Sequence, residues 1–273
     1  MMKQSMFAAL LALVLGAGAA FAEEDKKKEE GGYPKAYTKD YAFSFEGPFG
    51  KYDPFQLQRG LQVYTQVCAA CHGLRQVAFR NLGDPGGPQM EPDQVKAFAR
   101  LFEVPDDSEE AEPGDTRPGK PADKFPDVTT AGAPDLSLMA KARAGFKGPY
   151  GSGMAQLFKG MGGAEYIASI LTGYTGEEKE EVGSVIYRNT AFPSGWIAMP
   201  PPLTEGMVEY LGQGEPTVEE MAVDVAAFLM WTAEPKLNQR KRTGFLVVGF
   251  LILLTTLLYL SNKQLWAKPK RKA

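Results

Sequence analysis

With 273 residues, a formal charge of only −3 and 44% hydrophobic residues, the chain is long enough for a cored domain and too balanced in sign to be a polycationic or polyanionic tail. Its basic residues show no interleaving with aromatics of the kind that grips bases, so no nucleic-acid partner is expected. Two cysteines and one histidine exclude a four-ligand Cys/His zinc site and any metal held by two histidines of this chain.

Residues 1–22 read as a secretory signal: Lys3 precedes an apolar stretch from Phe7 to Leu15, and Ala20-Phe21-Ala22 is a small-residue cleavage site. The charged run 23–32 has too little apolar surface to fold, and 33–52, rich in Tyr, Phe, Pro and Gly, reads as an extended strap. Asp53 and Pro54 then supply the cap and first turn of a helix over 55–67, with Phe55, Leu61, Tyr64 and Val67 as its apolar face.

That helix leads into Cys68-Ala69-Ala70-Cys71-His72, the whole thiol and imidazole inventory of the chain. CxxCH spacing lets each thiol form a thioether to one vinyl group of a haem while the next imidazole reaches the iron, so Cys68, Cys71 and His72 read as attachment site and first axial ligand. A redox dithiol would use the same CxxC, but it does not require the histidine.

Beyond His72 comes a turn-rich wrap, then a helix from Glu91 or Pro92 to about Phe102. An acidic, proline-rich surface loop follows over 103–127. Pro134-Asp135 opens a helix towards Arg143, a glycine-rich stretch fills 144–163, and a further helix covers 164–171 before a Gly-Tyr-Thr-Gly turn and a polar run. Thr217 and Glu220 have capping-box spacing, ahead of a stripe of Met221, Val225, Phe228 and Leu229 in a helix that stops before Pro235.

A six-coordinate haem with one histidine must recruit another ligand, and eleven methionines are available. Met139, Met221 and Met230 fall in helical patterns that suit core packing. Met199 lies in Trp-Ile-Ala-Met-Pro-Pro-Pro, where prolines forbid a helix and stiffen a loop able either to present the thioether to iron or to be underpacked by it. His/Met ligation leaves no open position and favours outer-sphere electron transfer; an open sixth position would instead suit a haem c peroxidase or gas-binding protein.

Gly244 to Leu260 is a 17-residue uncharged run of about 26 Å as a helix, preceded by Arg240, Lys241 and Arg242 and followed by five basic and no acidic residues. The expected organisation is a periplasmic haem domain over 23–239, a single transmembrane anchor over 240–261 in the bacterial inner membrane, and a basic cytoplasmic tail over 262–273. The exported part is strongly acidic, which suits attraction of a basic partner.

In chain order, QRGLQVYTQVCAACHGL, DPGGP, PDLSLMAKAR, EYIASILTGY, WIAMPPPL and DVAAFLMWTAEP leading to RKRTG resemble the cytochrome c1 family of alphaproteobacterial type, over nearly the whole mature chain. The resemblance implies a mainly α, mono-haem cytochrome c-like domain with long loop insertions and a C-terminal transmembrane helix. It implies the electron-transfer subunit of ubiquinol:cytochrome c oxidoreductase, the cytochrome bc1 complex. This subunit carries one electron from the Rieske iron-sulfur protein to a cytochrome c, beside cytochrome b and membrane lipid in a dimeric complex. It further implies one covalent haem c with His72 and Met199 as axial ligands, propionates held by Arg143 and Tyr166, and haem packing at Pro134. The chain departs from the family in having Ala133 where two successive prolines are usual and in lacking the additional cysteine pair of some bacterial relatives.

Overall fold

The computed structural model describes residues 37–108, 111–128, 130–143, 160, 162–181, 183–210, 212 and 214–267. The expected signal, the charged run after it, the end of the basic tail and most of 144–163 lie outside these residues.

Helix α1, Pro54–Gln66, starts where the sequence expects, with the Asp53 carboxylate accepting from the Phe55 amide at 3.0 Å and Pro54 in the first turn. Its buried face is Leu57, Gly60, Leu61, Val63 and Tyr64. Phe55, expected on that face, is 70% exposed. The face is turned because α5, Val218–Ala233, lies against Gly60, where a Cβ would fall 2.1 Å from the Asp224 carbonyl oxygen. Only glycine lets the two backbones approach so closely. Beside this contact, the Arg59 guanidinium grips Asp224 through both carboxylate oxygens at 2.7 and 3.1 Å.

The expected capping box starts α5: the Glu220 amide donates to the Thr217 hydroxyl and the Thr217 amide to the Glu220 carboxylate. Met221, Val225, Phe228 and Leu229 are buried as expected. Tyr64, Phe79, Phe125 and Phe228 join α1, α5 and the loops into one aromatic core, with ring centroids 4.5 to 5.9 Å apart.

Helix α2, Pro92–Ala99, stops about one turn short of Phe102. The acidic 103–127 stretch is no plain loop. Strands β1, Glu103–Pro105, and β2, Thr116–Pro118, form an antiparallel ribbon, braced where Arg117 meets Asp123 at 2.6 Å, and Phe125 enters the core. The helix expected from Pro134 shrinks to α3, Met139–Ala142, because Asp135 spends its carboxylate on other backbone amides.

Helix α4, Gly163–Thr172, packs on α5. The turn and polar run after it are in fact β3, Tyr174–Glu181, paired antiparallel with β4, Ser184–Asn189, which pairs in turn with β5, Trp196–Ile197. Helix α6, Leu237–Leu265, follows α5 after a bend of three residues and outruns the apolar segment at both ends. Its membrane-length window has a mean hydropathy of 2.3 and is wholly exposed. Leu237 is buried in the domain, and the bend is braced by Tyr52, whose hydroxyl lies 3.1 Å from the carbonyls of both Met230 and Glu234 and whose amide donates to Asn238.

Candidate haem site

The pentapeptide continues α1 as a 3-10 turn, Cys68–Ala70, with the amides of Cys71 and His72 both donating to the Cys68 carbonyl. The Tyr64 hydroxyl donates to the His72 carbonyl at 2.9 Å, so the turn is pinned to the helix that precedes it. Cys68 is half-buried and Cys71 exposed. Burial, with Cys71 adjacent, pushes the Cys68 thiol up to about 12. A thiol so raised is a poor attacking nucleophile, so Cys68 itself does not suit that role.

His72 points Nδ1 at the Pro134 carbonyl oxygen, 2.7 Å away. A carbonyl can only accept, which puts the proton on Nδ1 and leaves the Nε2 lone pair for a metal. Pro134 is held in place by the segment around it. The Gly73 amide donates to Val128, the Leu136 amide to Gly73, the Arg75 and Ser137 amides to the Asp135 carboxylate, and the Gln76 amide to the buried Ser137 hydroxyl. Gly73 is required here, since a Cβ would lie 2.7 Å from both the Pro126 oxygen and the Val128 nitrogen.

Met199 leaves β5 two residues after its end and is half-buried ahead of its prolines. Its carbonyl accepts from the Tyr174 hydroxyl at 3.0 Å, which ties the loop to β3. Burial raises the Tyr174 phenol, keeping it a protonated donor. His72 and Met199 come from separate elements, the turn after α1 and the loop after β5.

Arg143 follows α3 and is exposed, while Tyr166 is half-buried on α4. The two helices meet tightly, since a Cβ on Gly163 would lie 1.7 Å from the Ala140 carbonyl oxygen. Burial pushes the Tyr166 phenol up, and the Arg143 charge and hydrogen bond pull it back. The structure therefore joins Arg143 to Tyr166 and Pro134 to His72.

The sequence reading missed Tyr64, Asp135, Ser137 and Tyr174 as supports. Asp-Leu-Ser had a visible signal, because a carboxylate two residues before a serine readily closes an Asx turn. Nothing local marks Tyr64 or Tyr174.

Two thiols on a rigid turn, an imidazole fixed in one tautomer and an arginine–tyrosine pair suited to carboxylates fit a covalent haem c. The comparisons agree. The model of the Cytochrome C1 family matches residues 43–269. The chain is 49% identical to the cytochrome c1 of Cereibacter sphaeroides, over 100% of this chain and 98% of the relative. It is 46% identical to a cytochrome c1 of Rhodobacter capsulatus, over 98% of this chain and 99% of the relative. A protein named Cytochrome b/c1 from Bradyrhizobium diazoefficiens is 41% identical over 93% of this chain and 39% of its own length.

Proposed function

The chain belongs to the cytochrome c1 family, and on that premise we propose that it is the membrane-anchored electron-transfer subunit of a cytochrome bc1 complex, taking single electrons from a Rieske iron-sulfur protein and passing them to a cytochrome c. Haem c, when bound, supplies one-electron exchange between ferric and ferrous iron. The observation that carries the reading is the His72 Nδ1 to Pro134 oxygen hydrogen bond beside the two thiols, which readies one nitrogen for iron before any metal arrives.

In this reading Cys68 and Cys71 hold the macrocycle by thioethers, and the Pro134 carbonyl makes the His72 imidazole a stronger donor. The Met199 thioether would be the second iron ligand and would keep oxygen and peroxide out. Arg143 offsets the charge of a propionate, and Tyr166 donates to one. The segments are a removed signal over 1–22, a periplasmic haem domain over 23–239, an anchor over 240–261 and a cytoplasmic tail over 262–273. The name of the Bradyrhizobium relative supports cytochrome b as a neighbour, in a complex expected to be dimeric. The exposed acids of β3, Glu177, Glu178, Glu180 and Glu181, suit a basic acceptor.

The test is the near-infrared spectrum and redox titration of the full chain beside Met199→Leu. Loss of the sulfur-to-ferric-iron band with a large fall in midpoint potential is expected. Identical spectra and potentials in the two proteins would remove Met199 from the iron.

A further inference from the structure

Next to the haem domain's entry into the membrane, residues 45–50 fold into a tight loop whose tip is Pro48-Phe49. A Cβ on Gly50 would lie 1.9 Å from the Glu46 carbonyl oxygen, so the turn closes on its own backbone. Lys241, in the second turn of α6, fills the loop with its ammonium: Nζ donates to the carbonyls of Phe45 and Gly47 at 2.6 Å and of Gly50 at 3.2 Å. The loop is thereby fastened to the anchor helix by bonds that consume all three donors of the lysine.

One turn further along α6 stands Phe245, second residue of the uncharged run, 54% exposed. The Phe49 ring lies against it at a centroid distance of 4.9 Å, and Phe49 is itself 75% exposed. An aromatic ring in contact with Phe245 shares its depth. If α6 spans the bilayer through Gly244 to Leu260, that depth is the boundary where headgroups meet acyl chains, where an exposed Phe ring can be buried in lipid. Carbonyl coordination of Lys241 suits the same level, because it replaces the water the ammonium loses there.

We propose that the Pro48-Phe49 loop is a second membrane contact of the haem domain, inserted into the lipid interface beside α6 and held at that depth by Lys241. Its occupant is phospholipid. The surface is continuous with the lipid-facing apolar run, and a bilayer at that level would have to part around the loop to avoid it. Two contacts instead of one fix the tilt of the domain on the membrane. The inference rests on the anchor reading alone and not on the haem ligands.

The experiment places a photoreactive benzophenone amino acid at position 49 in the full chain, assembled in its complex in native membranes, with parallel probes at Leu258 within the apolar run and at Leu101 after α2. Mass spectrometry of the irradiated peptides reads phospholipid adducts. Lipid at 49 and 258 but not at 101 is expected, and a Lys241→Met exchange should lower the yield at 49 several-fold while leaving the haem spectrum and the yield at 258 unchanged. Lipid at 258 alone overturns the loop contact and leaves the anchor standing; lipid at neither position overturns both. Crosslinking of 49 to another polypeptide in place of lipid assigns the surface to a protein neighbour and ends the proposal. An unchanged yield at 49 with Lys241→Met refutes the role given to the lysine.

Discussion

Replacing Gly73 with alanine should damage the haem site without touching any ligand. The added Cβ would lie 2.7 Å from the Pro126 oxygen and the Val128 nitrogen, against 3.4 Å or more for ordinary contact, so the facing segment must retreat by about 0.7 Å. The Gly73 amide bond to Val128 sits in that gap, and the Leu136 amide bond to the Gly73 carbonyl fixes the other end of the same segment. Overpacking of this kind costs about 1–3 kcal/mol and one lost hydrogen bond about 1 kcal/mol more. At about 3 °C per kcal/mol for a domain of this size, the thermal midpoint should fall by about 10 °C. Because the shifted segment carries Pro134, the bond to His72 Nδ1 loosens; under the proposed ligation the imidazole then donates less charge to iron, and the midpoint potential should rise. Circular dichroism melts and a redox titration on the full-length holoprotein read both effects. A variant matching the parent in melting temperature and potential would refute the claim that this segment aims the imidazole.

The remaining predictions concern the frame and its pH response. Asp224→Ala should destabilise the domain by about 2–3 kcal/mol in denaturant titration, below the full cost of orphaning a buried charge because the Arg59 side chain is 26% exposed and can rehydrate; a loss under about 0.5 kcal/mol would show the pair to be idle. The Arg117 guanidinium holds the Asp123 carboxyl down at about 2. A carboxyl depressed by folding from its ordinary value of about 3.9 contributes stability that is fully present above that value and is lost as pH falls towards the folded pKa. Asp123→Asn should therefore be less stable than the parent near neutral pH, with the gap closing between about pH 4 and pH 2; a gap that stays constant across this interval would contradict the linkage.

What the sequence made legible was chiefly local. Asp53 and Thr217 announce their helices because capping is settled within four residues, and Cys68 to His72 announce their chemistry because the spacing is the mechanism. The misreadings have a common cause in partners distant along the chain. Glu177 to Glu181 show no apolar alternation, since that strand is exposed from Thr175 onward and owes its form to pairing with β4. Helical period places Phe55 inward, but the burial of α1 is set by the approach of α5 at Gly60. Asp135 reads as a helix opener, yet its carboxylate is taken by the amide of Arg75, 60 residues away in sequence. Arg143 and Tyr166 carry no local signal of their contact, which depends on α3 and α4 touching at Gly163.

The three-residue bend between α5 and α6, stapled by Tyr52, leaves the haem domain no leash. A domain joined to its anchor by three braced residues has little slack in which to swing. In the proposed relay, whatever travel the handover needs then falls to the molecules on either side of it.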